Sequence, residues 1–195
     1  MVAVPAAGDP YSTNLAAVRR GMRSWPLLHG ILFYVVWFLA VRSVSTPGGE
    51  STTLAIQVSF CALCLVVSRK RLRREVAFMG ALTGFGGAID SVAAHLGLII
   101  FPHTTLYLLG YPLWMWGMWA SFATAFSTSL SWMTHRISAQ LLLGAIGGSL
   151  SLYAASKLGA VEFPRELSLT LAYFGIAWAL LMVGGSWIYR RLQTQ

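Results

Sequence analysis

The chain has 195 residues, 56% of them hydrophobic and only 10% charged, with a formal net charge of +8. A soluble domain carries about 25% charged residues, and the mean hydropathy of +0.66 points the same way. This composition excludes a soluble enzyme, a disordered chain and, despite the basic sum, a nucleic-acid-binding domain. Six apolar spans, at 27–45, 53–68, 76–101, 112–134, 138–160 and 167–189, predict an all-α polytopic membrane protein built as a six-helix transmembrane bundle. About 20 apolar residues are needed for a helix to cross a bilayer, and five of the six spans approach or exceed that length. The expected organisation is a tail at 1–26, a transmembrane domain at 27–189 and a second tail at 190–195.

The N-terminal segment is too polar for the apolar region of a secretory signal, although Arg19, Arg20 and Arg23 before the first span also allow a signal-like reading of 15–45. Basic residues gather on one side of the predicted bundle. Arg19, Arg20, Arg23, Arg69, Lys70, Arg71, Arg73, Arg74, Arg136, Arg190 and Arg191 make 11 of the 14 lysines and arginines. By the positive-inside rule both termini then face the cytoplasm. The cluster Arg69–Arg74 reads as a topology determinant or as a docking patch for anionic lipid. Cys61 and Cys64 lie one turn apart inside the second span, where a thiolate is costly, so they read as small packing residues.

In the third span Asp90 is an ionisable group at depth, about 21 Å from the inner end and 16 Å from the outer. A carboxyl there is a functional-site candidate by default. Thr83, Gly86, Gly87, Ala94 and Gly97 form a small-residue stripe where another helix can approach. His95, five residues on, is rotated about 140° from Asp90 and is the second candidate for acid–base work.

The fourth span opens with Trp114, Trp116 and Trp119 and continues with Ser121, Thr124 and Thr128, spaced to share a helix face. Those hydroxyls either line a polar ligand site or bond between helices. Tyr153 of the fifth span falls near the depth of Asp90. The expected ligand-binding set is therefore Asp90, Ser121, Thr124, Thr128, Tyr153 and Trp119. In the fifth span Gly144, Gly147 and Gly148 read as close helix packing; no strand precedes them and no P-loop partner follows. Four histidines at four levels give no metal site, and no cofactor is expected.

Shifting the chain by 62 residues aligns Gly86, Ala93, Leu96 and Gly97 with Gly148, Ala155, Leu158 and Gly159. It also aligns Phe101–Pro102 with Phe163–Pro164, and Leu109, Tyr111 and Trp116 with Leu171, Tyr173 and Trp178. A duplication of this kind predicts a parallel hairpin repeat, spans three and four matching spans five and six.

The Trp-rich segment Trp114–Trp119, the run Phe122–Ala123–Thr124 and the helix Gly144–Gly148 together resemble an uncharacterised family of bacterial inner-membrane proteins, over roughly residues 27–189. In that family an asparagine–histidine pair follows the threonine segment and a proline follows the glycines. This chain has Ser127–Thr128 and Ser149 instead, so a catalytic histidine on the fourth span is not carried over. The family has no assigned activity. Its members are often encoded near cyclopropane-fatty-acid-synthase-like genes, which implies residence in the inner membrane and a link to lipid modification or to a lipid-enzyme partner.

The leading functional expectation is a non-catalytic accessory protein that binds membrane lipids or their acyl chains near Asp90. An integral-membrane lipid-modifying enzyme, with Asp90 as acid–base and His95 as helper, comes second. A small proton-coupled transporter is third.

Overall fold

The structure, a computed structural model, describes the backbone of residues 10–194 and the side chains of residues 24–194. Residues 1–9 and 195, the outermost parts of the two expected tails, lie outside the described residues. Five helical segments are long and apolar enough to cross a membrane: Ser24–Val44, Glu50–Val67, Arg69–His95, Ile137–Lys157 and Leu167–Gln193. The first belongs to α1 (Pro10–Val44), which begins inside the expected N-terminal tail. The others correspond to α2 (Glu50–Val67), α3 (Leu72–His95), the rod formed by α5 (Ile137–Leu143) and α6 (Ser149–Lys157), and α7 (Leu167–Gln193).

The exception is α4 (Leu113–Phe126), whose 14 residues reach about 21 Å, short of the span expected over 112–134. The cause is in its own sequence. Hydroxyls of Ser127, Thr128, Ser131 and Thr134 bond back to main-chain carbonyls three or four residues earlier, which competes with continuing the helical ladder. The chain therefore turns and forms a short 3-10 segment at Ser131–Met133. Thr128, Met133 and Thr134 are buried while Ser131 and Trp132 are exposed, so protein covers one side of this irregular backbone.

Connections alternate between two ends of the bundle. At one end Arg190 Nη1 donates to the Thr134 carbonyl at 2.5 Å and Arg74 Nη1 to the Gln193 carbonyl at 3.4 Å. At the other, Glu50 accepts hydrogen bonds from Thr105 and Leu106, under a two-stranded hairpin, β1 (Tyr107–Leu108) and β2 (Tyr111–Pro112). We call these the basic end and the hairpin end. Around the bundle, α1 packs on α2, α2 on α4, α4 on α3, α3 on α7, and α7 on the α5–α6 rod. Trp114, Phe174 and Val41 centre one apolar core near the hairpin end; Phe78, Trp119, Phe126 and Met182 centre the other.

The 62-residue repeat is visible in the backbone. At the end of α3, Leu98 N bonds Ala93 O and Gly97 N bonds Ala94 O; at the end of α6, Ala160 N bonds Ala155 O and Gly159 N bonds Ser156 O. Both are the same glycine-terminated helix cap, with Gly97 at φ +66° and Gly159 at φ +83°, a region that costs a side-chain-bearing residue energy. Three residues past each glycine, the equivalent residues Ile100 and Glu162 pair antiparallel with each other, each N–H donating to the other's carbonyl at 3.0 Å. Such a reciprocal pair is what a local two-fold axis between two like hairpins produces, as in parallel transporter repeats.

Gly86, Gly87, Gly144 and Gly148 serve close approach, as their spacing suggested; Gly147, expected to do the same, has nothing within 4 Å of an added Cβ. A Cβ on Gly86 would overlap the Trp119 indole, and one on Gly87 would lie 2.6 Å from the Trp116 ring. Across the repeat a Cβ on Gly144 would lie 2.7 Å from Ala179 Cα, and one on Gly148 would meet Trp178. Within the rod, Gly144–Gly148 forms a single π turn, a local widening often found at functional sites.

Candidate functional site

Asp90 is 2% exposed, yet the end of α3 at His95 leaves it only about 8 Å from the hairpin end of its helix. That is shallower than the mid-span position expected from an apolar run continuing to residue 101. The run does continue, but Gly97 ends the helix and residues 98–101 turn into the loop. Tyr111 Oη donates to Asp90 Oδ2 at 2.5 Å, and Trp119 Nε1 donates to the same oxygen at 2.8 Å. Tyr111 is delivered by β2 and Trp119 by the second turn of α4, so the hairpin and the Trp-rich helix converge on one carboxyl oxygen. The Tyr111 ring is fixed edge-on to Phe101 and Trp116. Tyr173, the repeat partner of Tyr111, reaches the same turn of α3 and donates to the Ile89 carbonyl at 2.8 Å.

The other oxygen, Oδ1, has no hydrogen-bond partner among the described residues, and Asp90 lines a cavity of about 410 Å³. This volume falls in the usual range of small-molecule pockets, about 300–1,000 Å³. The walls come from α1, α4, the α5–α6 rod and α7, with Leu152 and Ser151 of α6 facing Tyr34 and Trp37 of α1 across the space. Trp119 and Trp178 form part of the wall, their ring centroids 4.7 Å apart. Among the described lining residues no lysine, arginine or histidine occurs.

The cavity reaches the side of the bundle. Tyr34 and Leu150 line it while being 72% and 59% exposed. Tyr34 is the eleventh of the 21 residues of Ser24–Val44, and Gly147, also lining, is the eleventh of the 21 of Ile137–Lys157. The mouth between α1 and the rod thus opens about 15 Å from either helix end, level with the hydrocarbon of a bilayer. The gap does not lie beside α3 and α4, because those two helices pack tightly through Gly86 and Gly87.

Of the expected ligand-binding residues, the structure brings Asp90 and Trp119 together at this cavity. Ser121, Thr124 and Thr128 are buried on the opposite side of α4. Ser121 donates to the Gly117 carbonyl at 2.8 Å and meets Cys61 Sγ at 3.5 Å; Thr128 donates to the Thr124 carbonyl at 2.6 Å. Thr124 Oγ1 lies 2.9 Å from His29 Nε2, whose Nδ1 is 3.2 Å from Ser129 Oγ. His29 is completely buried. Tyr153 stands apart, its ring under Lys157 Nζ at 5.1 Å. His95 turns its Nδ1 to the Ser91 carbonyl of its own helix at 2.9 Å, on an exposed face away from Asp90. Both cysteines are free thiols, and no metal-binding group of three or more His, Cys, Asp or Glu occurs among the described residues.

Tyr111 was not among the expected site residues. Its pairing with Tyr173 at the 62-residue shift was the available signal: two tyrosines at one register position, each five residues before a tryptophan.

Sequence comparison adds one finding. A family described as a protein of unknown function, DUF2878, matches residues 26–183, which is most of the chain and includes every residue of the cavity. The chain belongs to this family. Membership in DUF2878 agrees with the resemblance drawn from the Trp-rich and glycine segments and assigns no activity. No curated protein and no solved structure matches.

Proposed function

We propose that this DUF2878 protein is a non-catalytic lipid-binding accessory protein of the bacterial inner membrane, holding a membrane-derived apolar molecule between α1 and the α5–α6 rod. The observation that carries this reading is a cavity with almost wholly apolar walls, a mouth at hydrocarbon depth, and one carboxyl at its hairpin-side end. A ligand diffusing in the bilayer would enter without crossing water, and its apolar body would lose no hydration on the way. With 11 basic residues toward one side, the positive-inside rule supports placing both termini and the basic end in the cytoplasm.

A second reading, a lipid-modifying enzyme with Asp90 as acid–base, draws support from a cavity-lining carboxyl whose two donors both address Oδ2. His95 offers it no help, since that ring faces elsewhere. Lipid mass spectrometry decides between these readings. Gly147→Phe adds a ring at the mouth, where no atom lies within 4 Å of the added Cβ. Gently extracted wild-type protein should carry a retained lipid that Gly147→Phe loses. The bulk lipid composition of a strain lacking the protein should match that of the rescued strain. A retained lipid indifferent to Gly147→Phe refutes the binding reading; a modified lipid species that disappears with Asp90→Asn favours the enzyme.

A further inference from the structure

We infer that the cavity takes a neutral, ring-headed bilayer lipid of the quinone and quinol class, with a head oxygen on Asp90 Oδ1 and its tail leaving through the mouth beside Tyr34 and Gly147. This deepens the lipid-binding reading above and rests on it.

Three observations narrow the chemistry. The first is charge. With no lysine, arginine or histidine among the described lining residues, a fatty-acid carboxylate or a phosphate head would enter an apolar space without a counter-ion and beside another acid. Uncompensated charge is expensive there, and like charges add to the cost.

The second is the unfilled hydrogen-bonding capacity of Asp90. Because Tyr111 and Trp119 both donate to Oδ2, the cavity is offered Oδ1. That atom accepts when the carboxyl is ionised and donates when it carries the proton. A quinol hydroxyl matches the first state and a quinone carbonyl the second, so both forms of one molecule can be held in the same pose. A hydrocarbon chain without such an oxygen would cover this atom without giving it a partner, at a cost.

The third is the wall. Eight of the 23 lining residues are aromatic, against 13% across the chain. Trp114 and Trp119 are closed off by their own packing, at 1% and 2% exposure, but the half-buried rings of Phe33, Trp37, Phe122 and Trp178 also line the space and offer surface on which a planar ring stacks better than a flexible chain. Met115, Met118 and Met182 add polarisable sulfur, which contacts aromatic rings favourably. The depths also agree. Asp90 lies about 8 Å and the mouth about 15 Å from the hairpin end, so a ring at Asp90 directs its tail down and outward into the bilayer.

The test uses the full chain in lipid nanodiscs and a short-chain alkyl benzoquinone, whose approach quenches the lining tryptophans. Arms with the alkyl alcohol and the alkyl carboxylic acid of the same chain act as competitors. The expected result is saturable quenching, weakened about tenfold by Asp90→Leu, the size of one lost buried hydrogen bond, and at least as strongly by Gly147→Phe. The alcohol and the acid should compete poorly. Near-ultraviolet circular dichroism checks that Asp90→Leu folds, and Gly147→Phe is an independent variant distant from the carboxyl.

If the alcohol or the acid competes as well as unlabelled quinone, the ring and the neutral head are not recognised and the inference is overturned. If a co-purifying lipid is lost in Gly147→Phe while quinone binding is absent, the inference falls and the lipid-binding reading stands. If no arm responds to Gly147→Phe, both fall.

Discussion

Tyr111→Phe removes one oxygen from the site and leaves the ring in place, where Phe101 and Trp116 hold it at centroid distances of 6.0 and 5.5 Å. The hydrogen bond lost is the 2.5 Å contact to Asp90 Oδ2. Trp119 Nε1 still donates to that oxygen at 2.8 Å, so the variant does not orphan it. A buried hydrogen bond to a neutral group contributes about 0.5–1.5 kcal/mol and one to a charged group about 1.5–3. Polar pairs between membrane helices average about 0.6 and reach about 1.7. With a buried carboxyl as acceptor, the expected loss is about 1–1.7 kcal/mol. The assay is reversible unfolding in mixed micelles with increasing denaturing detergent, read from the near-ultraviolet tryptophan signal. A double-mutant cycle isolates the pair: in an Asp90→Leu background the Tyr111 hydroxyl has already lost its acceptor, and Tyr111→Phe should cost nothing or stabilise. Additivity of the two changes within about 0.3–0.5 kcal/mol would refute the geometry on which the site is built.

Gly86→Ala should destabilise by about 1–3 kcal/mol in the same assay, as overpacking does, because its Cβ would fall within the Trp119 ring and displace a donor to Asp90. Gly80→Ala, with nothing within 4 Å of the added Cβ, should be neutral or gain up to about 1 kcal/mol; equal effects at the two positions would contradict the packing. Glu50→Ala removes the acceptor of Thr105 N at 2.8 Å and of Leu106 N at 3.2 Å. Freed of that anchor, residues 104–108 should exchange amide hydrogens faster, with a stability loss of about 1–3 kcal/mol. Unchanged exchange there would remove Glu50 from its anchoring role.

Apolar length carried most of the architecture, because a bilayer leaves helices few alternatives. Close approach at Gly86, Gly87, Gly144 and Gly148 was also legible, whereas Gly147 of the same run faces open space. Asp90 was legible as a buried carboxyl among apolar neighbours. Its partners were harder. Ser121, Thr124 and Thr128 matched its expected depth, but spacing at 100° per residue already puts them about 140–200° around α4 from Trp119. Depth and face are separate coordinates, and a residue must satisfy both. Which face of α4 meets α3 rather than α1 and α2 is decided by long-range packing, chiefly Gly86 against Trp119. The shortened α4 has a different origin: hydroxyls that look like a polar strip on an ideal helix can equally bond their own backbone and end it. The cavity was beyond reach, because it depends on α1 and the α5–α6 rod not packing on one another.

The reciprocal Ile100–Glu162 bridge implies more than a repeated shape. A molecule with two equivalent hairpins could have carried two equivalent binding sites, yet the position matching Asp90 is Leu152, a wall residue of the same cavity. Tyr173, which by symmetry would address that position, finds no acceptor there and crosses to Ile89. One hairpin thus holds the polar contact while its twin supplies the apolar floor opposite. For the lipid proposed above, the expected consequence is one ligand per chain with a single sense of insertion, set by one difference between acid and hydrocarbon at matching positions of two like hairpins.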